Sequence, residues 1–204
     1  MIAENYKTSP LCRLCKSSYL SSVLKLTSTP PANAFVSKEK RHIKQKKYPL
    51  ELFFCEECNH LQLTEIVDPV ELFENYVYVS GTSKVFVNHF KNYAKDVVKI
   101  YKPRKDKYIL DIGSNDGTLL KFFKNMGYSV IGVDPAKEIA NKACEDGIKT
   151  INDFFNLQTA KKIKNEYSEA SLITANNVFA HCDDLRGITQ AVSSLLCPNG
   201  LFVF

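Results

Sequence analysis

Residues 108–117 read YILDIGSNDG, and this stretch decides the fold of the chain. An apolar run ends at Asp111, and Gly113, Asn115 and Gly117 then follow at every second position. A helical pattern, TLLKFFKNM, begins directly afterwards. A strand that turns through small residues into a helix leaves free backbone N–H groups, and glycine removes the Cβ that would keep a ligand away from them. The stretch therefore predicts a ligand-binding turn at the start of a βαβ unit.

The next strand indicates which ligand this turn binds. Its apolar run, SVIGV, ends at Asp134, where a carboxylate suits the hydroxyl pair of a ribose. The spacing D-x-G-x-N-x-G differs from the G-x-G-x-x-G of pyrophosphate-binding turns, and Asp111 and Asp116 add negative charge that disfavours a diphosphate. A cationic cofactor is tolerated. We therefore expect S-adenosylmethionine rather than NAD; a glycine-rich turn without a ligand is the alternative.

Strands and helices alternate from residue 108 to the last residue. The predicted strands are 108–112, 130–133, 148–151, 171–175 and 201–204, and the predicted helices are 118–126, 136–145, 157–167 and 183–197. Gly127 is expected just after the first helix, and Asp134 is expected to cap the second, with Pro135 at its first position. This order predicts an α/β fold with a mostly parallel sheet and helices on both faces.

Ligands of such sheets lie beyond the carboxyl ends of the strands. Asp153 and Phe154 suit an adenine, since one forms hydrogen bonds and the other covers the ring. Asn176 and Asn177 suit the methionine part, although asparagine there is also typical of turns and helix caps. The predicted cofactor-binding residues are Asp111, Gly113, Ser114, Asn115, Asp116, Gly117, Asp134, Pro135, Asp153, Phe154, Asn176 and Asn177.

Three further side chains have chemistry suited to a substrate. His181 follows the fourth strand, where it serves either as a proton carrier or as an ordinary loop residue. Tyr76 and Tyr78 precede a predicted long helix over residues 82–101, and a phenol can donate to a substrate oxygen. Packing is the alternative role for both tyrosines. The predicted apolar stripe of that long helix consists of Val85, Phe86, Phe90, Tyr93, Val97 and Val98.

Four of the seven cysteines form two pairs, Cys12-x-x-Cys15 and Cys55-x-x-Cys58. Two such turns can hold one Zn²⁺ ion in a tetrahedron of thiolates, so we predict a zinc site. The 39 residues between the pairs exceed the usual zinc-ribbon spacing. One alternative is that His60 replaces Cys58 as a zinc ligand. The other is that the four cysteines are unrelated thiols that bind no metal.

Composition narrows the class of protein. The net charge of +5 is too small for a dedicated nucleic-acid binder, although Lys38–Lys47 holds six Lys or Arg in ten residues. We interpret that run as a solvated loop rather than a phosphate-binding patch. No apolar run approaches the about 20 residues of a membrane span, and no signal peptide is evident. We therefore expect a cytoplasmic protein without nucleic-acid or membrane partners.

The predicted organisation has three parts. Residues 1–66 form a zinc-binding module, 67–103 a connecting segment with the long helix, and 104–204 a Rossmann-like domain that binds S-adenosylmethionine. The chain ends within an apolar strand, LFVF, whose edge nothing later in the sequence covers. We expect that the carboxyl-terminal part of the domain is missing or is supplied by a separate chain.

The chain resembles the S-adenosylmethionine-dependent sugar C-methyltransferases, which act on nucleotide-linked 4-keto-deoxysugars. The matching segments cover nearly the whole chain and include CRLC, FFCEECNHLQL, PPANAF, LFENYVYVSGTS, DIGSNDGTLL, GVDPAKEIANKA, NDFF, ANNVFAHCDDL and LLCPNGLFVF. The resemblance implies a Rossmann-type class I methyltransferase core with a small amino-terminal zinc-binding module. It also implies that the nucleotide sugar forms an enolate, which takes the methyl group in line.

The resemblance assigns roles to two residues but identifies no catalytic base in this chain. Tyr76 and His181 match positions near the sugar and are the predicted catalytic residues. Members of the family continue beyond this sequence with the segment that carries the catalytic base, so this chain is expected to lack it. Two alternatives remain: a zinc-ribbon RNA methyltransferase, favoured by Lys38–Lys47, and an inactive remnant that only binds the cofactor.

Overall fold

The computed structural model describes residues 6–74 and 76–204. The first five residues of the predicted zinc module, and Asn75 of the connecting segment, lie outside the described residues. The chain divides into two compact units between Val77 and Tyr78, within the segment predicted to connect two domains.

The first unit is built mainly from short antiparallel strands. The elements are β1 (Tyr6–Thr8), β2 (Leu20–Thr29), β3 (Tyr48–Cys55), β4 (Leu61–Leu63), β5 (Glu65–Val67) and α1 (Pro69–Phe73). Strands β2, β3 and β4 form one sheet in that order, and β1 pairs with β5. The long hairpin of β2 and β3 accounts for the wide spacing of the cysteine pairs.

The second unit confirms the predicted α/β fold. Its elements are α2 (Lys84–Tyr101), β6 (Tyr108–Ile112), α3 (Thr118–Asn125), β7 (Ser129–Val133), α4 (Lys137–Glu145), β8 (Thr150–Ile151), α5 (Leu157–Tyr167), β9 (Ala170–Thr174), α6 (Leu185–Leu195) and β10 (Leu196–Val203). The sheet has the order β10-β9-β6-β7-β8, and every pairing is parallel. The strand order reverses between β6 and β9, which is where open sheets bind their ligands.

Apolar side chains cover both faces of this sheet. Ile109 and Leu110 are neighbours on β6 and point to opposite faces, yet both are fully buried. On one face Ile109 packs with residues of α2, α3 and α4, and on the other Leu110 packs with residues of α5 and α6. A sheet buried on both sides explains why its strands are continuous apolar runs.

Glycine ends α3 as predicted. Gly127 has a φ of 81° and donates its N–H to the carbonyl of Lys124, while Tyr128 donates to that of Phe123. These two bonds form a Schellman motif, which satisfies carbonyls left free at the helix end.

The predicted start of α4 is wrong. This helix begins at Lys137 after Ala136, and no side chain caps it. Asp134 instead accepts hydrogen bonds from the N–H groups of Asn115 and Ala136, because the parallel strand beside β7 ends in the 113–117 turn. The carboxylate is therefore used within that turn rather than at a helix end.

Further differences from the prediction concern the last helix, the last strand and one residue of the long helix. The last helix begins at Leu185 and is capped by Asp184, whose Oδ1 accepts the N–H of Gly187. Strand β10 begins at Leu196, before the turn at 198–200, since its first residue already pairs with β9. Val85 was predicted on the apolar stripe of the long helix but is 82% exposed. In the part of the chain that the structure describes, no helix is long and apolar enough to cross a membrane.

Candidate functional site

The turn after β6 adopts the conformation that its glycines predict. Gly113, Asn115 and Gly117 have φ values of 66°, 51° and 72°. The N–H groups of Gly113 and Ser114 both donate to the carbonyl of Val133, at 2.8 and 3.2 Å, which fixes the turn against the end of β7. A Cβ on Gly113 would lie 2.4 Å from a methyl group of Val178, so only glycine fits there.

Asp134 lies beside this turn and is almost fully buried. Its Oδ2 accepts the N–H of Asn115 at 2.8 Å, and its Oδ1 accepts that of Ala136 at 2.9 Å. Burial raises the pKa of this carboxyl group, while the two N–H groups oppose the rise. Each carboxylate oxygen keeps a lone pair, so Asp134 retains the capacity to accept a bond from each hydroxyl of a ribose.

Asp111 provides a second buried carboxyl group at the adjacent strand end. Its Oδ1 accepts the hydroxyl of Thr174 at 2.6 Å. Burial raises the pKa of Asp111 to about 7, and the charge of Asp134 adds to the increase although the bond from Thr174 opposes it. Two buried carboxyl groups that act on each other electrostatically favour a ligand with positive charge over a diphosphate.

Unsatisfied polar atoms lie near the carboxyl ends of the central strands. Within residues 6–74 and 76–204, three buried side-chain polar atoms have no hydrogen-bond partner: Tyr93 Oη, Ser114 Oγ and Asn176 Nδ2. Asn176 follows β9, and its amide faces the phenol of Tyr93 from α2 without forming a well-directed hydrogen bond. Burial raises the pKa of the Tyr93 phenol, the neighbouring amide of Asn176 opposes the rise, and the charge of Asp111 adds to it. Poorly satisfied buried polar groups are costly, so Tyr93 and Asn176 fit a polar ligand such as the amino-acid end of S-adenosylmethionine.

Sequence reasoning did not identify Tyr93 as a site residue. It was placed on the apolar stripe of the long helix with its phenylalanine and valine neighbours, and its ring does pack in the core. The sequence did contain one indication: Tyr93 carries a hydroxyl group, whereas the other residues of the stripe are phenylalanine and valine. Helical side chains lean toward the amino terminus of their helix, and this orientation directs Tyr93 toward Asn176.

The predicted adenine end follows β8. Asn152 donates from Nδ2 to the carbonyls of Asp134 and Pro135, at 3.0 and 2.8 Å, and ties two loops together. The carboxylate of Asp153 accepts the N–H of Phe154 at 2.8 Å and the hydroxyl of Thr159 at 3.1 Å. Asp153 and Phe154 are both half-buried at this edge of the sheet.

The side chains of Asn115 and Asp116 bind protein backbone. Asn115 accepts the N–H of Ser80 and donates to the carbonyl of Tyr78, both at 2.9 Å. Asp116 accepts the N–H of Gly81 at 3.0 Å. A contribution of these two residues to a cofactor would therefore come mainly from their backbone.

The predicted catalytic residues lie in different units. Tyr76 belongs to the first unit, where its hydroxyl accepts a hydrogen bond from Asn33 Nδ2 at 3.3 Å. His181 lies in the second unit, in an exposed 3-10 turn over Phe179–His181. Asn177 precedes this turn with a φ of 57°, a conformation that asparagine tolerates well. The roles of Tyr76 and His181 stay predictions.

The four paired cysteines of the first unit converge on one point. The sulfur atoms of Cys12 and Cys58 are 3.6 Å apart, as are those of Cys15 and Cys55, and all four lie within 4.8 Å of one another. A zinc tetrahedron with Zn–S of 2.3 Å requires sulfur separations of about 3.8 Å. The cluster therefore has the donor atoms and the size that Zn²⁺ needs.

The two cysteine pairs are held by matching turns. Lys16 donates its N–H to the carbonyl of Cys12 at 3.0 Å, and Asn59 does the same to Cys55 at 2.9 Å. Both Lys16 and Asn59 have left-handed backbone, with φ values of 67° and 60°. Each turn thus brings two thiols to the same side, as a shared metal ion requires.

The thiols of this cluster do not ionise alike. Burial acts to raise the pKa of Cys12, but hydrogen bonds from the backbone of Cys15 and Leu14 outweigh it and lower the pKa to about 7. Burial and the neighbouring thiols raise the pKa of Cys58 to about 12. A bound cation stabilises the thiolate form of all four. His60 is not part of this group, so the alternative in which it replaces Cys58 is not supported.

The basic run Lys38–Lys47 is exposed at every position. Lys46 pairs with Glu71 at 3.7 Å, and Gln45 donates to the carbonyl of Ala34. This arrangement matches the interpretation of a solvated loop.

Comparison with known families identifies both parts of the chain. Residues 12–73 match the family described as "Putative zinc binding domain", and residues 87–204, more than half of the chain, match the family described as "Methyltransferase domain". The chain belongs to the methyltransferase domain family. Membership confirms the predicted Rossmann-type methyltransferase core with an amino-terminal zinc module, and with it S-adenosylmethionine and zinc as the expected cofactors.

Individual relatives agree with this family. The C-methyltransferase NovU of Streptomyces niveus is 29% identical over 191 residues, which cover 94% of this chain and 46% of that protein. A ubiquinone biosynthesis O-methyltransferase of Azorhizobium caulinodans is 26% identical over 133 residues, 63% of this chain and 50% of that protein. The chain thus spans about half the length of the curated relatives it matches.

A solved structure agrees at the level of the fold. The PH0226 protein of Pyrococcus horikoshii superposes with a TM-score of 0.50 at 20% identity, over 61% of this chain and 56% of that one. This similarity supports the fold alone.

Proposed function

We propose that this chain is the cofactor-binding and zinc-binding portion of an S-adenosylmethionine-dependent C-methyltransferase whose substrate is a nucleotide-linked 4-keto-deoxysugar. The observation that carries the cofactor assignment is the group of buried carboxyl groups and poorly satisfied polar groups near the carboxyl ends of the central strands. The alignment with a C-methyltransferase over 94% of the chain supports carbon as the methylated atom. The sugar rests on the family resemblance of motifs such as ANNVFAH.

In this proposal, different residues of the second unit bind different parts of the cofactor. The backbone of 113–117 and Asp134 hold the ribose, and Asp153 with Phe154 holds the adenine. Asn176 and Tyr93 hold the amino-acid end. The bound cofactor supplies an electrophilic methyl group. A base that is not assigned among the residues of this chain would take the proton from the carbon next to the keto group. The enolate carbon would then form the new carbon–carbon bond, and S-adenosylhomocysteine would be the leaving group. Tyr76 and His181 are assigned to the sugar oxygens.

The first experiment tests the cofactor site. Asp134→Asn removes the charge that binds the ribose, so we expect S-adenosylhomocysteine to bind roughly tenfold or more weakly in calorimetry, because hydrogen bonds to charged groups contribute about 1.5–3 kcal/mol. Asp146→Asn is the matched control, since that exposed carboxylate pairs with Lys121 at 2.7 Å. Equal affinity of the Asp134→Asn variant and the unaltered protein would contradict the ribose assignment.

The second experiment tests the acceptor. The protein that carries this chain is incubated with methyl-labelled S-adenosylmethionine and either a 4-keto-deoxysugar nucleotide or RNA. We expect label in a stable carbon–hydrogen group of the sugar. Label in RNA would instead support a zinc-ribbon RNA methyltransferase, and cofactor binding without transfer to either acceptor would support a binding-only protein.

A further inference from the structure

Four residues that directly follow the boundary between the two units are bound to the predicted cofactor turn. We call Tyr78–Gly81 the anchored segment. The N–H groups of Ser80 and Gly81 donate to Asn115 Oδ1 and Asp116 Oδ2, at 2.9 and 3.0 Å. In return Asn115 Nδ2 donates to the carbonyl of Tyr78 at 2.9 Å. Three backbone groups of the segment are thus held by two side chains of one turn.

The fit between segment and turn is close. Ser80 is buried, with 8% of its surface exposed. A Cβ added to Gly81 would lie 2.5 Å from Asp116 Oδ2 and 3.0 Å from Thr118 Oγ1. Asp116 cannot simply withdraw, because its other oxygen accepts the N–H and the hydroxyl of Thr118 at the start of α3. The glycine at position 81 therefore allows the contact.

The same turn is bonded to the predicted ribose acid. The backbone N–H of Asn115 donates to Asp134 Oδ2 at 2.8 Å, while its side chain holds the anchored segment. Asn115 has left-handed backbone, with a φ of 51°, and both sets of bonds depend on that conformation. A ligand that fixes Asp134 and the turn thereby fixes the groups that bind Tyr78 and Ser80.

We propose that Asn115 and Asp116 are positioning residues that couple occupation of the cofactor site to the order of the anchored segment. This inference rests on the cofactor binding proposed above. Coupling between two sites is reciprocal: if the cofactor strengthens the bonds to the segment, loss of those bonds weakens cofactor binding by the same factor. In this proposal the side chains of Asn115 and Asp116 do not touch the ligand; they act through their bonds to the anchored segment.

The test uses amide hydrogen exchange of Ser80 and Gly81 in the 204-residue protein, with and without S-adenosylhomocysteine. In the unaltered protein we expect the ligand to slow exchange at both amides. Gly81→Ala places a methyl group against Asp116, so in this variant we expect the ligand to bind about fivefold or more weakly. In the same Gly81→Ala variant we expect saturating ligand to slow the hydrogen exchange of the Ser80 amide only slightly. Val85→Ala is the matched control, since that side chain is 82% exposed in the next helix.

A second variant separates the contribution of the Asn115 side chain from that of its backbone. Asn115→Gly keeps the left-handed conformation and the N–H that binds Asp134 but removes both bonds to the segment. We expect rapid exchange at Ser80 that ligand does not slow. A purely structural role would lower stability yet leave the protection by ligand unchanged.

The outcomes distinguish this inference from the proposed function. Ligand that binds without protecting Ser80, or an affinity of Gly81→Ala within twofold of the unaltered protein, overturns the coupling and leaves the function standing. Coupling without methylation of a keto sugar by the whole protein that carries this chain overturns the function alone. Absence of ligand binding overturns both.

Discussion

Asp111 shows how burial gives one residue a pH-dependent effect on stability. Its pKa is about 7 in the folded protein, against about 3.9 in an unfolded chain. The folded state therefore binds the proton more tightly than the unfolded state. It follows that the free energy of unfolding falls as the pH rises from about 4 to about 7, and that this loss is complete above that range.

We predict that Asp111→Asn removes part of this pH dependence. An amide does not titrate, and its oxygen can still accept the hydroxyl of Thr174. The free energy of unfolding of the variant should therefore exceed that of the unaltered protein at about pH 8 by more than it does at about pH 4. Urea denaturation at the two pH values measures the difference. Parallel pH profiles for both proteins would show that Asp111 titrates normally.

Tyr93 allows a test in which stability and binding change in opposite directions. The amide of Asn176 faces its buried hydroxyl but forms no well-directed hydrogen bond with it, so Tyr93→Phe removes a poorly satisfied group at little cost in packing. We predict that the ligand-free variant is as stable as the unaltered protein or about 1 kcal/mol more stable. Its affinity for S-adenosylhomocysteine should be lower. Thermal unfolding and calorimetry measure the two effects, and unchanged affinity would exclude a role of the hydroxyl in binding.

Individual residues were predictable where one residue type has one structural use. Gly113, Gly117 and Asp134 follow from the spacing around two strand ends, because left-handed backbone and a ribose-binding acid limit the choice. The side-chain partners of Asn115 and Asp116 were not predictable, since they belong to a segment more than thirty positions earlier.

At the scale of elements, the zinc turns are more completely specified than any other feature. Each reads C-x-x-C followed by a residue with left-handed backbone, and together they join β3 to the region before β2. Few of the described apolar side chains of this unit are buried. Among residues 6–74, 76 and 77 they are Cys12, Tyr48 and Cys55, two of which belong to the metal cluster. The metal is therefore expected to contribute much of the stability of the unit.

We predict that removal of zinc unfolds the sheet of the first unit. Treatment with a chelator, or the Cys58→Ala substitution, should remove the hydrogen-exchange protection of amides in β2 and β3. Amides in β6 and β9 serve as an internal control because their core is formed by the second unit itself. Cys144→Ala is the matched cysteine control, since that thiol is exposed and lies outside the cluster. Full protection of β3 after chelation would show that the unit folds without metal.

The sequence predicted the end of α3 but not the start of α4. Gly127 satisfies carbonyls through backbone geometry that one residue provides, so the sequence alone identified the end of α3. The start of α4 was wrong because Asp134 had two possible uses, as a cap or as an acceptor for the neighbouring turn. Only the pairing of β6 with β7 decides between them.

At the scale of the whole molecule, the two units differ in how they are held together. The second is built around a parallel sheet with apolar side chains on both faces, and the first around antiparallel strands and a cysteine cluster. The alternation of apolar runs with helical patterns predicted the former, and the spacing of cysteines predicted the latter. The sequence predicted a connecting segment over 67–103, but only the contacts of the folded chain place the division between Val77 and Tyr78.

The sequence by itself determined the order of strands and helices, the glycine turn, the acid after the second strand and the four thiols, because each of these depends on local geometry or on residue type. The tertiary structure alone decided which polar groups remain poorly satisfied near the carboxyl ends of the central strands and which segment the turn holds. Those features depend on how a helix packs against two strands far from it in sequence, and local patterns carry no record of that packing.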